Sequence, residues 1–301
     1  MNKQRWTGDL GAIVGTMLMG SSYPFAKEVL AAMSPLLYGA SRYVVAGVVL
    51  MAMTLLLRRS LSLDRRDWLP LVGLALVGVT SFQAFWSLGI ARSSPSLGAI
   101  VMSTTTAFSA ILAALAGRRL TAPGWAGIVI AFAGVVLVVN NSLSEITFAA
   151  ASIEGTLFWL AAALCWAIYV ERCAPYNERL GALPVMAWTT LLGALLLLPV
   201  SLLFDSPGEF ANLDTRLGLY WLYTGIFPVG IAYLCLTFGL DRLGTGRVMV
   251  YMYLIPVAAV GLSAAFFDDP LSWARLLGGL IVLLGVILTR VALDRGARLP
   301  V

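Results

Sequence analysis

Ten apolar blocks, each about the length of a membrane-spanning helix, divide this 301-residue chain. The hydrocarbon core of a bilayer is about 30 Å thick and a helix rises about 1.5 Å per residue, so one span needs about 20 mostly apolar residues. Little sequence remains between the blocks, which predicts an all-α membrane protein with ten transmembrane helices. The blocks occupy residues 9–31, 34–57, 68–91, 96–117, 123–141, 153–172, 183–204, 216–240, 247–267 and 272–293.

Composition argues against the main alternatives. Hydrophobic residues make up 60% of the chain and charged residues 12%, whereas soluble domains contain about 45–50% and about 25%. A β-barrel would show segments of about ten residues that alternate apolar and polar side chains, but these blocks are continuously apolar. The first block follows Lys3 and Arg5 as a signal peptide would. It is long and lacks a small-residue cleavage site before Lys27, so we expect it to stay as a span.

The basic residues predict the orientation, because cytoplasmic loops of membrane proteins carry an excess of Lys and Arg. With a cytoplasmic N-terminus, Arg42 falls inside a span and most of the 20 Lys and Arg residues fall on the cytoplasmic side. The outer side then holds Lys27, Arg92, Arg216 and Arg275. We therefore predict a multi-pass protein of the cell inner membrane with both termini cytoplasmic. Since topology explains the basic excess, no nucleic-acid partner is expected.

The two halves of the chain resemble each other. The segment LTAPGWAGIVIAFAGVVL at 120–137 aligns without a gap on LSWARLLGGLIVLLGVIL at 271–288. Just upstream, LGIAR at 88–92 matches FGLDR at 238–242. The matches occur in the same order and at similar offsets, which indicates an internal repeat.

Each half would carry five spans, and an odd number forces the second half to insert upside down relative to the first. We therefore predict two inverted five-helix repeats, residues 1–148 and 149–301, within one integral membrane domain. This architecture recurs in secondary transporters, which bind substrate near the midplane between the repeats and work by alternating access.

Several motifs resemble the EamA-type members of the drug/metabolite transporter superfamily. Those members often open with W-G-S, five further residues and Lys, followed by Pro and by Arg in the second span. Here MGSSYPFAKE at 19–28 and SPLLYGASRYVVAGVVL at 34–50 are similar, with Met in place of Trp. LCWAIYVERCAP at 164–175 resembles the family's sixth span, and YLIPVAAVGLSAAFFDDPLS at 253–272 resembles its ninth. The residues that match the opening motif are Gly20, Ser21, Lys27, Pro35 and Arg42.

The resemblance covers almost the whole chain and implies a transport function. Members export amino acids, other metabolites or toxic compounds, and the chain looks most similar to amino-acid exporters, including those for aromatic amino acids. The alternative is an exporter of drugs or other metabolites driven by a proton gradient.

The titratable residues bear on the mechanism. The chain has no His, which excludes catalysis or metal binding by imidazole. All 15 Asp and Glu residues fall at span ends or in connections, so we expect no buried Asp for an intramembrane enzyme and no mid-span carboxylate for ion coupling. No filter-like loop or ring of charges indicates a channel. We therefore expect uncoupled or weakly coupled secondary transport, with no catalytic residue, no metal site and no cofactor.

Polar and aromatic residues within the spans predict a substrate cavity. A polar side chain facing lipid is costly, and rings with hydroxyl groups suit a large, flat, partly apolar solute. The path between the halves is accordingly expected to be aromatic and uncharged. Ser21 and Ser22 have an alternative role, because their hydroxyls can satisfy a carbonyl freed by Pro24. The candidate substrate-binding residues are Ser21, Ser22, Tyr23, Gln83, Trp86, Thr104, Trp166, Tyr169, Tyr233 and Tyr251.

Lys27 and Arg42 are candidate gate or charge contacts. Lys27 lies near the outer end of the first span, where it either contacts a substrate carboxylate or extends its ammonium group to the interface. Arg42 lies about two turns into the second span. There it either contacts substrate or, in the interpretation we favour, bridges helices by hydrogen bonds to carbonyl groups.

Glycines predict close packing between the fifth and tenth spans, as small residues allow in membrane helices. They form either a dimer interface or a contact within one subunit, and we favour the second, which is compatible with a monomer. The expected partners are a small-molecule substrate, an amino acid or similar metabolite, and the lipid bilayer. The glycines are Gly127, Gly134, Gly278, Gly279 and Gly285.

Overall fold

The structure, a computed structural model, describes residues 3–117, 120–140, 150–243, 248, 251–267 and 272–296. Ten principal helices can be followed through these residues, which contain no strand, and this confirms the all-α class. A short 3₁₀ helix, Pro207–Asn212, lies between the seventh and eighth. The helices are α1 Lys3–Val29, α2 Pro35–Leu56, α3 Arg65–Arg92, α4 Pro95–Leu115, α5 Ala122–Asn140, α6 Ala150–Leu180, α7 Ala182–Phe204, α8 215–243, α9 Leu254–Phe266 and α10 Trp273–Gly296.

Eight of these helices are long and apolar enough to cross a membrane, namely α2 to α8 and α10. The described part of α9 is a shorter apolar helix, and α1 is 27 residues long but less apolar. Large hydrophobic side chains such as Leu115, Leu203 and Phe266 are exposed on the outside of the bundle. That surface suits contact with lipid rather than water, and the helix count agrees with the predicted ten spans.

The two halves pack in corresponding ways. α1 contacts α8 and α9, and its counterpart α6 contacts α3 and α4. α2 pairs with α7, and α5 pairs with α10, so each of these pairs joins one half to the other. The predicted boundary between residues 148 and 149 lies outside the described residues and stays a prediction.

Local irregularities also recur at equivalent positions in the two halves. α3 contains a π-helical segment, Leu76–Ser81, and α8 contains another, Ile226–Ile231, which begins about 150 residues later. A turn at Ser103–Thr104 interrupts α4, and another precedes α9. The π-helical segment of α3 contacts α6 and α7, and that of α8 contacts α1 and α2, so both lie where the two halves meet. Such segments cluster at functional positions in helical proteins.

Glycines bring α5 and α10 into backbone contact within one chain. A Cβ atom added to Gly134 would lie 2.6 Å from the backbone nitrogen of Val282, and one added to Gly127 would lie 2.6 Å from the carbonyl oxygen of Gly285. Gly279 is different, because it faces Ile100 of α4. The α5–α10 glycines therefore pack within the subunit, as the favoured interpretation predicts.

Candidate functional site

Arg42 lies at the centre of a hydrogen-bond network between the first three helices. Its side chain is only 2% exposed. Nη1 donates to Ser22 Oγ at 3.0 Å and to Tyr38 Oη at 2.9 Å, and Nη2 donates to Gln83 Oε1 at 3.2 Å. Arg42 thus bridges α1, α2 and α3. The favoured sequence interpretation expected carbonyl groups as acceptors; one acceptor is the amide carbonyl of Gln83, and the other two are hydroxyl oxygens.

The guanidinium group of Arg42 is surrounded by aromatic rings. Its carbon lies 4.4 Å from the ring centre of Trp86, 5.0 Å from that of Tyr38 and 5.2 Å from that of Tyr43. Within the described part of the chain, no Asp or Glu pairs with it, and its Nε has no hydrogen-bond partner. Cation–π contact lowers the cost of a buried charge. A buried cation therefore lies among the rings of a path that the sequence predicts to be uncharged.

The network continues into the second half of the chain. Gln83 Nε2 donates to Ser87 Oγ at 2.8 Å, which fixes the orientation of the amide. Tyr38 donates to Thr224 Oγ1 of α8 at 3.1 Å while it accepts from Arg42. Sequence reasoning missed Tyr38, although its spacing of four residues from Arg42 places both on one face of α2.

Three rings pack together beside this network. Tyr23, Trp86 and Trp159 have centre-to-centre distances of 5.3, 5.7 and 5.5 Å. Trp159 is fully buried, and its Nε1 donates to Ser93 Oγ at 2.8 Å. Gly98 makes room for it, because a Cβ atom there would overlap the Trp159 ring.

A second aromatic group adjoins the first. Trp166 stacks on Tyr169 at 5.1 Å and also contacts Phe82 at 5.1 Å and Tyr233 at 6.5 Å. Trp166 and Tyr233 pack against the same hydrophobic core that contains Tyr43 and Trp86, the rings that contact Arg42, so the ring group and the Arg42 network are neighbours. Of the predicted residues, the structure therefore brings together Ser22, Tyr23, Gln83, Trp86, Trp166, Tyr169, Tyr233 and Arg42.

Three other predicted residues have different contacts. The hydroxyl groups of Ser21 and Tyr223 on α8 are 2.7 Å apart. Thr104, at the break in α4, donates to the carbonyl oxygen of Val101 in its own helix at 2.7 Å. Tyr251 donates to Asp9 Oδ1 at 2.8 Å, near the start of α1. These contacts do not involve Arg42.

Lys27 caps the C-terminal end of α3. Its Nζ donates to the carbonyl oxygens of Ile90, Ala91 and Ser93 at 2.9, 3.0 and 2.9 Å. The last carbonyls of a helix lack intrahelical partners, and a cation there also interacts favourably with the helix dipole. In this geometry Lys27 caps α3 and joins it to α1, a role that neither sequence interpretation included.

Two carboxylates cap the start of α2 at what we term the distal end of the bundle, the end formed by residues 30–34, 93–94 and 205–214. Glu209 accepts from the backbone nitrogen and from Oγ of Ser34, both at 2.6 Å, and Asp205 accepts from the nitrogen of Leu37 at 3.0 Å. Burial alone would raise the pKa of Glu209, but the bonds from Ser34 outweigh it and leave this pKa below its ordinary value. Burial raises the pKa of Asp205.

The Glu209 cap gives a prediction about pH. Because the pKa of Glu209 is lower in the folded protein, its stabilising contribution is complete above the ordinary value of about 4.3 and is lost as pH falls through the lowered value. We expect the protection of the Ser34 amide against hydrogen exchange, corrected for the intrinsic exchange rate, to decrease as pH falls through that range. Glu209→Gln should reduce this protection already at neutral pH.

Asp214→Asn is the matched control for Glu209→Gln, since Asp214 caps its own helix through the nitrogen of Leu217 at 2.7 Å. It should leave Ser34 protection unchanged. Equal protection of Ser34 in the wild type and in Glu209→Gln would contradict the capping role.

At the opposite end of the bundle, Asp67 pairs with Arg179 and joins α3 to α6. Asp67 is 2% exposed, and Arg179 Nη1 donates to its Oδ2 at 3.1 Å. The expectation that no Asp is buried is therefore wrong. Asp67 lies in the first turn of α3, however, so it is not a mid-span carboxylate.

Comparison with known proteins identifies the family. The sequence model of the EamA-like transporter family matches residues 6–140 and again residues 153–291. The chain belongs to the EamA-like transporter family. The two matches cover the two halves separately, which supports the repeat seen in the helix packing and makes a membrane transporter the general function.

Relatives of this EamA-like transporter match over most of their length. The chain is 28% identical to an "Uncharacterized transporter" of Archaeoglobus fulgidus, covering 91% of this chain and 94% of that protein. It is 24% identical to the "Uncharacterized transporter YyaM" of Bacillus subtilis, covering 90% of each. A solved crystal structure with 23% identity has a TM-score of 0.65 and covers 95% of this chain and 97% of its own, which supports the fold. The two named relatives are described only as transporters.

Proposed function

We propose that this EamA-like transporter is a secondary exporter of amino acids, aromatic ones included, that works by alternating access. The observation that carries the proposal is the joined polar and aromatic cluster where helices of both halves meet. α1, α2 and α3 of the first half contribute Ser22, Arg42 and Gln83, and α6 and α8 of the second half contribute Trp166 and Tyr233. A site at such an interface would be exposed to one side or the other as the halves rock.

The same proposal includes transport without obligatory ion coupling. The acidic residues with described contacts lie near helix ends or in connections, as Asp67, Asp205 and Glu209 do. The buried Asp67 is already engaged by Arg179. A carboxylate that carries a proton or sodium ion through the membrane would instead need a site along the transport path. Both termini are proposed to lie in the cytoplasm, with the protein in the cell inner membrane.

Counterflow in proteoliposomes tests this function. Vesicles that contain the purified protein and unlabelled phenylalanine should accumulate labelled phenylalanine without any pH or sodium gradient. Saturable counterflow is expected of a carrier and not of a channel. Strict dependence on an imposed gradient would overturn the uncoupled mechanism, and failure with a full amino-acid panel would overturn the substrate class.

Two substitutions test the assignment of the cluster. Gln83→Ala and Trp166→Ala should change the ratio of phenylalanine to alanine counterflow by about 2- to 10-fold, because the aromatic contact of Trp166 is worth about 0.5–1.5 kcal/mol and Gln83 orients the Arg42 guanidinium group. This change should exceed any change in expression or in monodispersity in detergent. Trp273→Ala is the matched control, since Trp273 is 77% exposed on α10. Normal preference in both cluster variants would remove these residues from the substrate site.

A further inference from the structure

Arg42 has binding capacity that the protein does not use. A guanidinium group has five N–H donors in a planar arrangement. The structure gives Arg42 three hydrogen bonds, all to neutral oxygens, and leaves Nε without a partner. A buried N–H donor without an acceptor is costly, so the site is incomplete as it stands.

Arg42 also lacks a counter-charge that other arginines of the protein have. Arg92 pairs with Glu154, Arg179 with Asp67 and Arg216 with Glu28. These three arginines lie near helix ends, whereas Arg42 is buried between α1, α2 and α3. Among the described residues it has no carboxylate partner, and only rings and neutral oxygens surround it. Buried charges in proteins are normally paired.

We propose that Arg42 binds the carboxylate group of the transported substrate, an inference that rests on the proposed function and extends it. A carboxylate fits a guanidinium group with two parallel hydrogen bonds and supplies the absent negative charge. Ser22 and Tyr38 then act as positioning residues, because both accept hydrogen bonds from Arg42. The Ser22 hydroxyl group can also rotate and donate to the incoming anion, whereas the Tyr38 hydroxyl group continues to donate to Thr224. The apolar part of the substrate packs against Trp86 and the adjoining Phe82–Trp166 pair.

This arrangement predicts which small molecules the site rejects. An amine or amide with the same aromatic group leaves Arg42 without a counter-charge, so it gains little from entering the site. A carboxylate that lacks the amino group keeps the main contact. The carboxylate, rather than the amino group, should therefore be the dominant determinant of binding.

Competition against phenylalanine counterflow by the wild-type protein tests the inference without any mutation. 3-Phenylpropionate should compete within about tenfold of phenylalanine, whereas phenylalaninamide and phenethylamine should be at least about tenfold weaker than 3-phenylpropionate. Equal competition by the amide and the acid would overturn the proposal. Quenching of tryptophan fluorescence gives the same comparison for binding alone, because Trp86 lies directly beside Arg42.

Variants at position 42 provide the second test. In Arg42→Gln the preference for 3-phenylpropionate over phenylalaninamide should disappear, and Arg42→Lys should recover only part of it, because an ammonium group lacks the bidentate geometry. Arg216→Gln is the matched control, since Arg216 is exposed and also lies near a tyrosine ring, at 5.7 Å from Tyr220. If Arg42→Gln does not fold, the wild-type competition series decides.

The outcomes separate this inference from the proposed function. If amino acids are exported but the amide competes as well as the acid, the carboxylate contact is wrong and the exporter function stands. If no amino acid is transported but 3-phenylpropionate still quenches fluorescence in an Arg42-dependent way, the anion site stands and the amino-acid substrate is wrong.

Discussion

Replacing Gly134 by Leu is expected to separate α5 from α10 and to reduce strongly the fraction of the protein that folds correctly. The new Cβ atom would lie 2.6 Å from the backbone nitrogen of Val282 and 2.8 Å from the carbonyl oxygen of Gly278. Backbone atoms cannot move aside as a flexible side chain does, so the helices must shift apart. Overpacking in a well-packed core lowers the free energy of unfolding by about 1–3 kcal/mol, and we expect a decrease at or above the upper end of this range.

Thermal stability in detergent, followed by the monodisperse fraction, measures this loss. Gly261→Leu is the matched control, because a Cβ atom at Gly261 of α9 meets no atom within 4 Å. Gly285→Leu should behave like Gly134→Leu, since the two glycines correspond in the repeat. If Gly134→Leu is as stable as Gly261→Leu, the close contact of α5 with α10 is wrong.

Replacing Trp159 by Ala is expected to destabilise the protein by about 3–5 kcal/mol, the usual cost of removing a fully buried aromatic side chain. Trp159 is 0% exposed and contacts the rings of Tyr23 and Trp86. Its removal leaves a cavity between α1, α3 and α6 and leaves Ser93 without its donor. The melting temperature should fall and Trp86, which packs on Arg42, should become less ordered.

Two further variants sharpen the Trp159 prediction. Trp159→Phe keeps a six-membered aromatic ring but loses the rest of the indole and the Nε1–Ser93 hydrogen bond, so its loss of stability should be smaller than that of Trp159→Ala. Trp273→Ala, at an exposed tryptophan on α10, should have almost no effect. A melting temperature for Trp159→Ala that matches Trp273→Ala would show that the three-ring cluster does not stabilise the fold.

The sequence was sufficient to predict the features that depend on local pattern. Apolar length marks a span because a helix must cover the hydrocarbon core, and an aligned glycine pattern in two spans indicates close packing. A spacing of three residues predicts that Gln83 shares a helix face with Trp86, and Trp166 with Tyr169. The structure brings each pair into the same cluster. These predictions need no knowledge of how distant helices are arranged.

The remaining features depend on contacts between distant parts of the chain. The burial of Asp67 follows from its pairing with Arg179, and the cap formed by Lys27 follows from where α3 ends beside α1. Tyr38 is an aromatic residue near a helix start, a pattern equally typical of an interfacial belt. Only the packing of α8 against α2 shows its bond to Thr224. Long-range partners of this kind leave no periodic signal in the sequence.

Because of the two π-helical segments, a mutation can disturb the assembly of the site without disturbing insertion into the membrane. A π turn holds one residue more than an α turn, so it rotates everything after it by about 100° relative to a regular helix. Gln83 and Tyr233 are each the second residue after their segment, Leu76–Ser81 and Ile226–Ile231 respectively. Deleting one residue from the first segment would leave a helix still long enough to cross the bilayer, yet it would turn Gln83 away from Arg42. A single-residue deletion in this segment should therefore leave insertion of the protein into the membrane intact but abolish substrate transport.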